Sequence, residues 1–171
     1  TSLLLTGCFG PSEKEIAAEK EFLQNYLVII NDLKTVMISI DKFSKKNPSS
    51  GTVNSIVPQI NNYNSQISSL ENRLDKLNAP NENCKKLKKE LSSTLIGIKI
   101  NTLDTLKQGL LDNNAGTRLG YKLNDGGQAL RKQAEKALSL YQEDMKKIDT
   151  TLDNLFNNFE GLTPENTAIV K

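Results

Sequence analysis

The chain has 171 residues, enough for one domain of ordinary size, and 37% of them are hydrophobic, enough for one packed core. Aromatic residues make up only 5%, Trp and His are absent, and Leu, Ile, Lys, Asn and Glu dominate, a mixture that favours long amphipathic helices over a sandwich or barrel. Lys and Arg number 22 against 20 Asp and Glu, a net charge of +2, which falls short of the concentrated basic field of a nucleic-acid binder, so nucleic acid is not expected as a partner.

The first eight residues carry the sharpest motif. Leu3, Leu4 and Leu5 end an apolar run that passes through Thr6 and Gly7 to Cys8, the order in which a secretory signal closes. This stretch resembles the bacterial lipobox, in which an aliphatic residue and two small residues precede a cysteine. Leu5, Thr6, Gly7 and Cys8 fill those four places. The resemblance implies that Cys8 is lipidated through its sulfur with fatty acyl chains such as palmitate, and that the peptide before it is removed. The chain opens at Thr1 without an initiator Met or a basic n-region, and is expected to be the remainder of a longer precursor. Acyl chains contribute about 0.8 kcal/mol per buried CH₂, so two or three of them hold a soluble domain at a membrane without a spanning helix. No later stretch of the sequence approaches the roughly 18 uncharged apolar residues that crossing a bilayer requires.

The first helix is announced by Ser12 and Glu15, a capping box, after Pro11. Ile16, Leu23, Ile30 and Met37, with Tyr26, Leu33 and Ile40, define an apolar stripe that Phe22, Leu27, Ile29, Val36 and Phe43 widen. The run from Lys45 to Gly51, with Pro48, ends it. The second helix follows a strict heptad pattern through Val53, Ile56, Ile60, Tyr63, Ile67, Leu70, Leu74 and Leu77. Pro58 is tolerated in a first turn, so the regular helix is expected to start near Asn54 or Ser55, a kink being the alternative. Asn78, Ala79 and Pro80 then turn the chain.

A third helix is predicted over 81–112, its face formed by Cys84, Leu87, Leu91, Leu95, Ile98, Leu103, Leu106 and Leu110. Gly97 and Gly109 lie inside it. Each glycine costs about 1 kcal/mol relative to Ala, which close helix contact would explain better than ligand approach. Asn113 to Gly116 and Asn124 to Gly127 bracket a partly helical linker with Leu119, Tyr121 and Leu123. The fourth helix carries Leu130, Ala134, Ala137, Leu138, Tyr141, Met145, Ile148, Leu152, Leu155, Phe156 and Phe159, with Gly161 as its stop. The expected organisation is a signal remnant over 1–7, a tether over 8–11, a bundle over 12–160 and a frayed tail over 161–171.

Four amphipathic segments joined mostly by short turns predict an all-α fold, an up-down-up-down antiparallel four-helix bundle. The layout also loosely resembles small helical lipoproteins of uncharacterised role. That likeness rests on Leu77-Asn78-Ala79-Pro80 leading into a Lys/Leu helix and a later Ala-rich helix, over about residues 70–148, and it implies no functional site.

Without His there is no Ser-His-Asp or Cys-His catalysis, no His-ligated haem and no Glu-x-x-His di-iron motif, so neither catalysis nor a cofactor or metal is expected. No Asp or Glu falls at a heptad core position, and Gly126-Gly127 lacks the Lys-Ser/Thr of a phosphate loop. With Cys8 committed to lipid, Cys84 is left as a lone thiol at a core position, where it packs as a small hydrophobe. Lys85, Lys86, Lys88 and Lys89 form a basic turn which, in the expected topology, lies at the same end as Cys8 and would face anionic headgroups. The plainer reading is a solvated face, neutralised by Glu13, Glu15, Glu19 and Glu21. Tyr26, Tyr63 and Tyr141 read as core residues with hydroxyls that reach solvent. The leading functional expectation is an anchored, non-catalytic interaction module with a protein partner in the envelope, on the extracytoplasmic side. A small-ligand-binding bundle is the alternative, and an enzyme a distant third.

Overall fold

The computed structural model describes residues 10–45, 53–112 and 125–157. All of the regular structure among them is helical. The elements are α1 (Glu13–Ser44), α2 (Val53–Asp75), α3 (Glu82–Gly97), a π-helical segment (Ile98–Asp104), α4 (Thr105–Asp112) and α5 (Asp125–Phe156). Since α3, the π segment and α4 follow one another without interruption, they form one helical stretch, and the chain presents four such stretches. The turn over 46–52, the linker over 113–124, Phe159, Gly161, the tail and Cys8 itself lie outside the described residues.

The capping box at α1 forms as the sequence predicts. The Ser12 hydroxyl accepts from the Glu15 backbone N–H at 3.3 Å, and the Glu15 carboxylate accepts from the Ser12 backbone N–H at 2.7 Å. The Ser12 backbone N–H first, and its hydroxyl second, hold the Glu15 carboxyl below its ordinary pKa. At α3 the cap is Asn81, whose side-chain oxygen accepts from the Cys84 N–H at 2.9 Å. α2 begins at Val53, earlier than expected, so Pro58 is inside the helix, past its first turn. Its ring is exposed, and the missing N–H removes one bond near the helix start.

The apolar stripes meet in one core. Leu23, Ile30, Leu33 and Ile40 of α1, Ile60, Ile67 and Leu74 of α2, and Leu87, Leu91 and Leu95 of α3 are almost wholly buried, as are Met145, Ile148 and Leu152 of α5. Each such side chain contributes about 1.5–3 kcal/mol of transfer free energy. Ile16 departs from its stripe: it is 41% exposed, because burial along α1 starts only at Phe22 and the first turns stand clear of the described partners.

The third stretch departs from a continuous α-helix. Over Ile98–Asp104 the turns widen to i→i+5 bonding, and the Thr105 hydroxyl donates to the Ile100 carbonyl at 3.2 Å. The widening absorbs a five-residue step in the apolar pattern, Ile98 to Leu103. A regular α-helix would swing Leu103 off the stripe, whereas here both residues are buried. Gly97, just before the segment, is not a site of close helix contact. A Cβ placed there would meet only the side-chain nitrogen of Asn101, at 3.8 Å. Gly109, by contrast, is buried within α4, which packs against α5.

Candidate functional site

The basic turn at the start of α3 does not act as one patch. Lys85 pairs with Glu82 at 2.6 Å. Lys88 reaches back to the end of α2 and donates to the carbonyls of Asp75 at 2.7 Å and Leu77 at 2.9 Å, supplying the donors that a helix C-terminus lacks. Lys86 and Lys89 face a different neighbour. They line a groove of about 460 Å³ between α3 and α5, together with Glu90, Ser93 and Thr94 of α3 and Asp144, Lys147 and Ile148 of α5. The acidic residues of α1 invoked to neutralise the lysines are not their partners: the ion pairs of Lys85 and Lys86 are with Glu82 and Glu90, on α3 itself.

Helix periodicity makes the α3 wall. Lys86, Glu90 and Ser93 recur at i, i+4 and i+7 on the flank of the buried stripe, while Asp144 and Lys147 stand one turn apart on α5. Gly97 extends the α3 row by one turn, and Leu140 extends the α5 row and is 51% exposed. The floor includes Ile148, which is buried, and Thr94, whose hydroxyl donates to the Glu90 carbonyl at 3.1 Å.

The charges of the groove are poorly satisfied by one another. Lys86 stands 3.9 Å from Glu90 and Lys147 stands 3.7 Å from Asp144, against 2.6 Å for Arg73 with Asp32. Lys89 has no hydrogen-bond or ion-pair partner among the described residues. One carboxylate oxygen of Glu90, Oε2, is covered and has no hydrogen-bond partner among the described residues, although the side chain as a whole is 36% exposed. Glu90, Asp144, Lys147, Ser93 and Thr94 are not singled out by sequence reasoning. Their only sequence signal is the flank spacing, which surface residues of any helix share.

Cys84 is fully buried. Burial, and then the charge of Glu19, push its thiol up to about 12, with the hydrogen bond at Asn81 opposing them. Tyr26 is also fully buried, and its hydroxyl donates to the Leu87 carbonyl at 2.9 Å instead of reaching solvent. Burial, followed by the charges of Glu90 and Asp149, raises its pKa far above the ordinary tyrosine value. Tyr63 is partly buried and donates to the Ser39 carbonyl at 3.4 Å. Tyr141 is partly buried too, its pKa raised by burial and then by Asp149. Among the described residues no group of three His, Cys, Asp or Glu could hold a metal ion, and no helix is long and apolar enough to cross a membrane. Comparison of the chain with family models, curated proteins and solved structures finds no match.

Proposed function

We propose that the chain is a bacterial lipoprotein, anchored through Cys8 on the extracytoplasmic side of a membrane, whose helical domain is a non-catalytic interaction or accessory module for an envelope or membrane protein complex. The observation that carries this reading is the sequence Leu5-Thr6-Gly7-Cys8, followed four residues later by the Ser12 cap that opens α1. A short tether and an immediately capped helix suit a domain held close to a bilayer. The non-catalytic part rests on the chemistry available: the sequence has no His, and the Cys84 thiol stays protonated at neutral pH.

The arrangement we infer is an up-down-up-down antiparallel bundle. Its support is the sense in which partner residues pair. Asp32 meets Arg73 while Ser39 meets Tyr63. Glu71 meets Lys99, Asn64 meets Asp104 and Asn61 meets Lys107. Lys34 meets Asp149 while Ser44 meets Arg131. In each set residue numbers rise along one helix and fall along the other.

Fractionation tests the anchor. Expressed behind a complete signal peptide, the chain should enter the membrane fraction and take up acyl label, and Cys8→Ser should lose both; retention of both by the variant would end the lipoprotein reading. Capture from detergent-solubilised membranes with the lipidated protein as bait should return a stoichiometric protein partner. A second reading, an extracytoplasmic small-ligand-binding bundle, is favoured by one observation, the groove between α3 and α5 with its loosely paired charges and the unpartnered Glu90 oxygen.

A further inference from the structure

The groove between α3 and α5 carries its own ligand chemistry. Three lysines, Lys86, Lys89 and Lys147, line the groove together with two carboxylate residues, Glu90 and Asp144. A plain anion would meet the lysines but leave the buried Oε2 of Glu90 unpartnered, because an ionised carboxylate only accepts hydrogen bonds. A plain cation would satisfy Glu90 and be repelled by three lysines. A ligand with both an anionic group and an N–H donor satisfies both sets at once. A lysine ammonium binds as a point charge, and three of them along one groove are matched better by a phosphate, with three or four acceptor oxygens, than by a carboxylate with two. With three lysines facing two carboxylates, the site is best neutralised by a ligand of small net negative charge. A volume of about 460 Å³ limits that ligand to a small molecule or a headgroup.

We propose that this groove binds a phosphorylated primary amine of the phosphoethanolamine type, its phosphate among Lys86, Lys89 and Lys147 and its ammonium donating to Glu90. The proposal rests on the ligand-binding reading and deepens it. The same pairing of phosphate and ammonium is presented by a free metabolite and, as a diester of zero net charge, by the headgroup of phosphatidylethanolamine.

Amide NMR titration of the full chain with phosphoethanolamine tests it. Saturable shifts should be confined to α3 around Lys86 to Thr94 and to α5 around Asp144 to Ile148. Inorganic phosphate alone, ethanolamine alone, and phosphocholine, which has no N–H to offer Glu90, should each bind about tenfold more weakly or worse. Glu90→Gln and Lys147→Gln should weaken phosphoethanolamine by a similar factor; the exposed position of Lys147 makes the second variant safe for folding, and circular dichroism checks the first. Phosphate or phosphocholine binding as tightly as phosphoethanolamine would overturn the proposal, as would Glu90→Gln leaving affinity unchanged. Cosedimentation with phosphatidylethanolamine vesicles but not phosphatidylcholine vesicles, competed by free phosphoethanolamine, would assign the lipid source. Binding of the free compound without vesicle preference would assign the soluble one. A different small molecule saturating the same amides, with no response to phosphoethanolamine, would overturn the ligand class while leaving the ligand-binding reading intact.

Discussion

Cys84 shows how burial decides the chemistry of a residue. Its thiol is held protonated up to about 12 by desolvation and by Glu19, whereas the unfolded chain releases the same proton near about 8.5. The folded state therefore binds more protons than the unfolded state across that interval. The stability linked to the thiol is complete below it and is lost as pH rises through it. Denaturant titrations should show stability falling above about pH 9, and Cys84→Ala should flatten the first part of the fall. A fall of unchanged size in the variant would show that the thiol is not its cause. At neutral pH the same substitution should cost about 1 kcal/mol, the scale for losing a small buried side chain, and leave partner or ligand binding unchanged. Rapid stoichiometric labelling of native Cys84 by a thiol reagent would contradict both statements.

Gly97 is the residue at which the sequence misleads. A glycine within a helix invites the explanation of tight packing, yet the space above it holds only the Asn101 amide. Ala should fit without strain and gain the helix propensity that glycine lacks, raising stability by up to about 1 kcal/mol in a thermal melt. A loss of similar size would mean that the wide turn after Gly97 depends on the freedom of this backbone.

Among the elements, α1 and α2 were legible because their apolar residues repeat with helical period and begin at recognisable signals, Ser12 with Glu15 in the one and the heptads from Val53 in the other. The π segment was legible in principle. The step of five from Ile98 to Leu103 is its signature, but a stripe assembled from positions three and four apart tolerates one irregular step and hides it. The structure yields a sharp contrast. Deleting the exposed Asn101 should turn the wide turn into a regular one and keep Leu103 on the buried face. Deleting the exposed Asn62 of α2 should rotate everything after it by about 100° and disrupt the core. Circular dichroism melts of the two deletions should therefore differ widely. Equal tolerance or equal damage would show that the segment is not an inserted residue.

For the whole molecule, a chain starting at Pro11 should be mostly helical and melt cooperatively, since the stripes of α1, α2, α3 and α5 bury one another. Substantial strand signal would reject the fold. The candidate groove was not legible in the sequence. Lys86, Glu90, Asp144 and Lys147 are ordinary surface residues until α3 and α5 lie side by side, and charge carries no periodicity that says which helices will be neighbours. The basic turn was visible, but its division was not, because Lys88 is committed by the position of two carbonyls, that of Asp75 at the end of α2 and that of Leu77 just beyond it.

That commitment bears on the order in which the molecule assembles. Lys88 lies only 11 and 13 residues from its two acceptors, while Arg131 bonds Ser44 across 87 residues and Lys34 bonds Asp149 across 115. Loop closure costs entropy that grows with the length enclosed, and contacts local in sequence form fastest. The hairpin of α2 and α3 should thus be the nucleus, closed by the Lys88 clamp before α1 and α5 dock upon it. Removing the clamp should slow folding more than it speeds unfolding, whereas weakening the pair of Lys34 and Asp149 should act mainly on the unfolding rate.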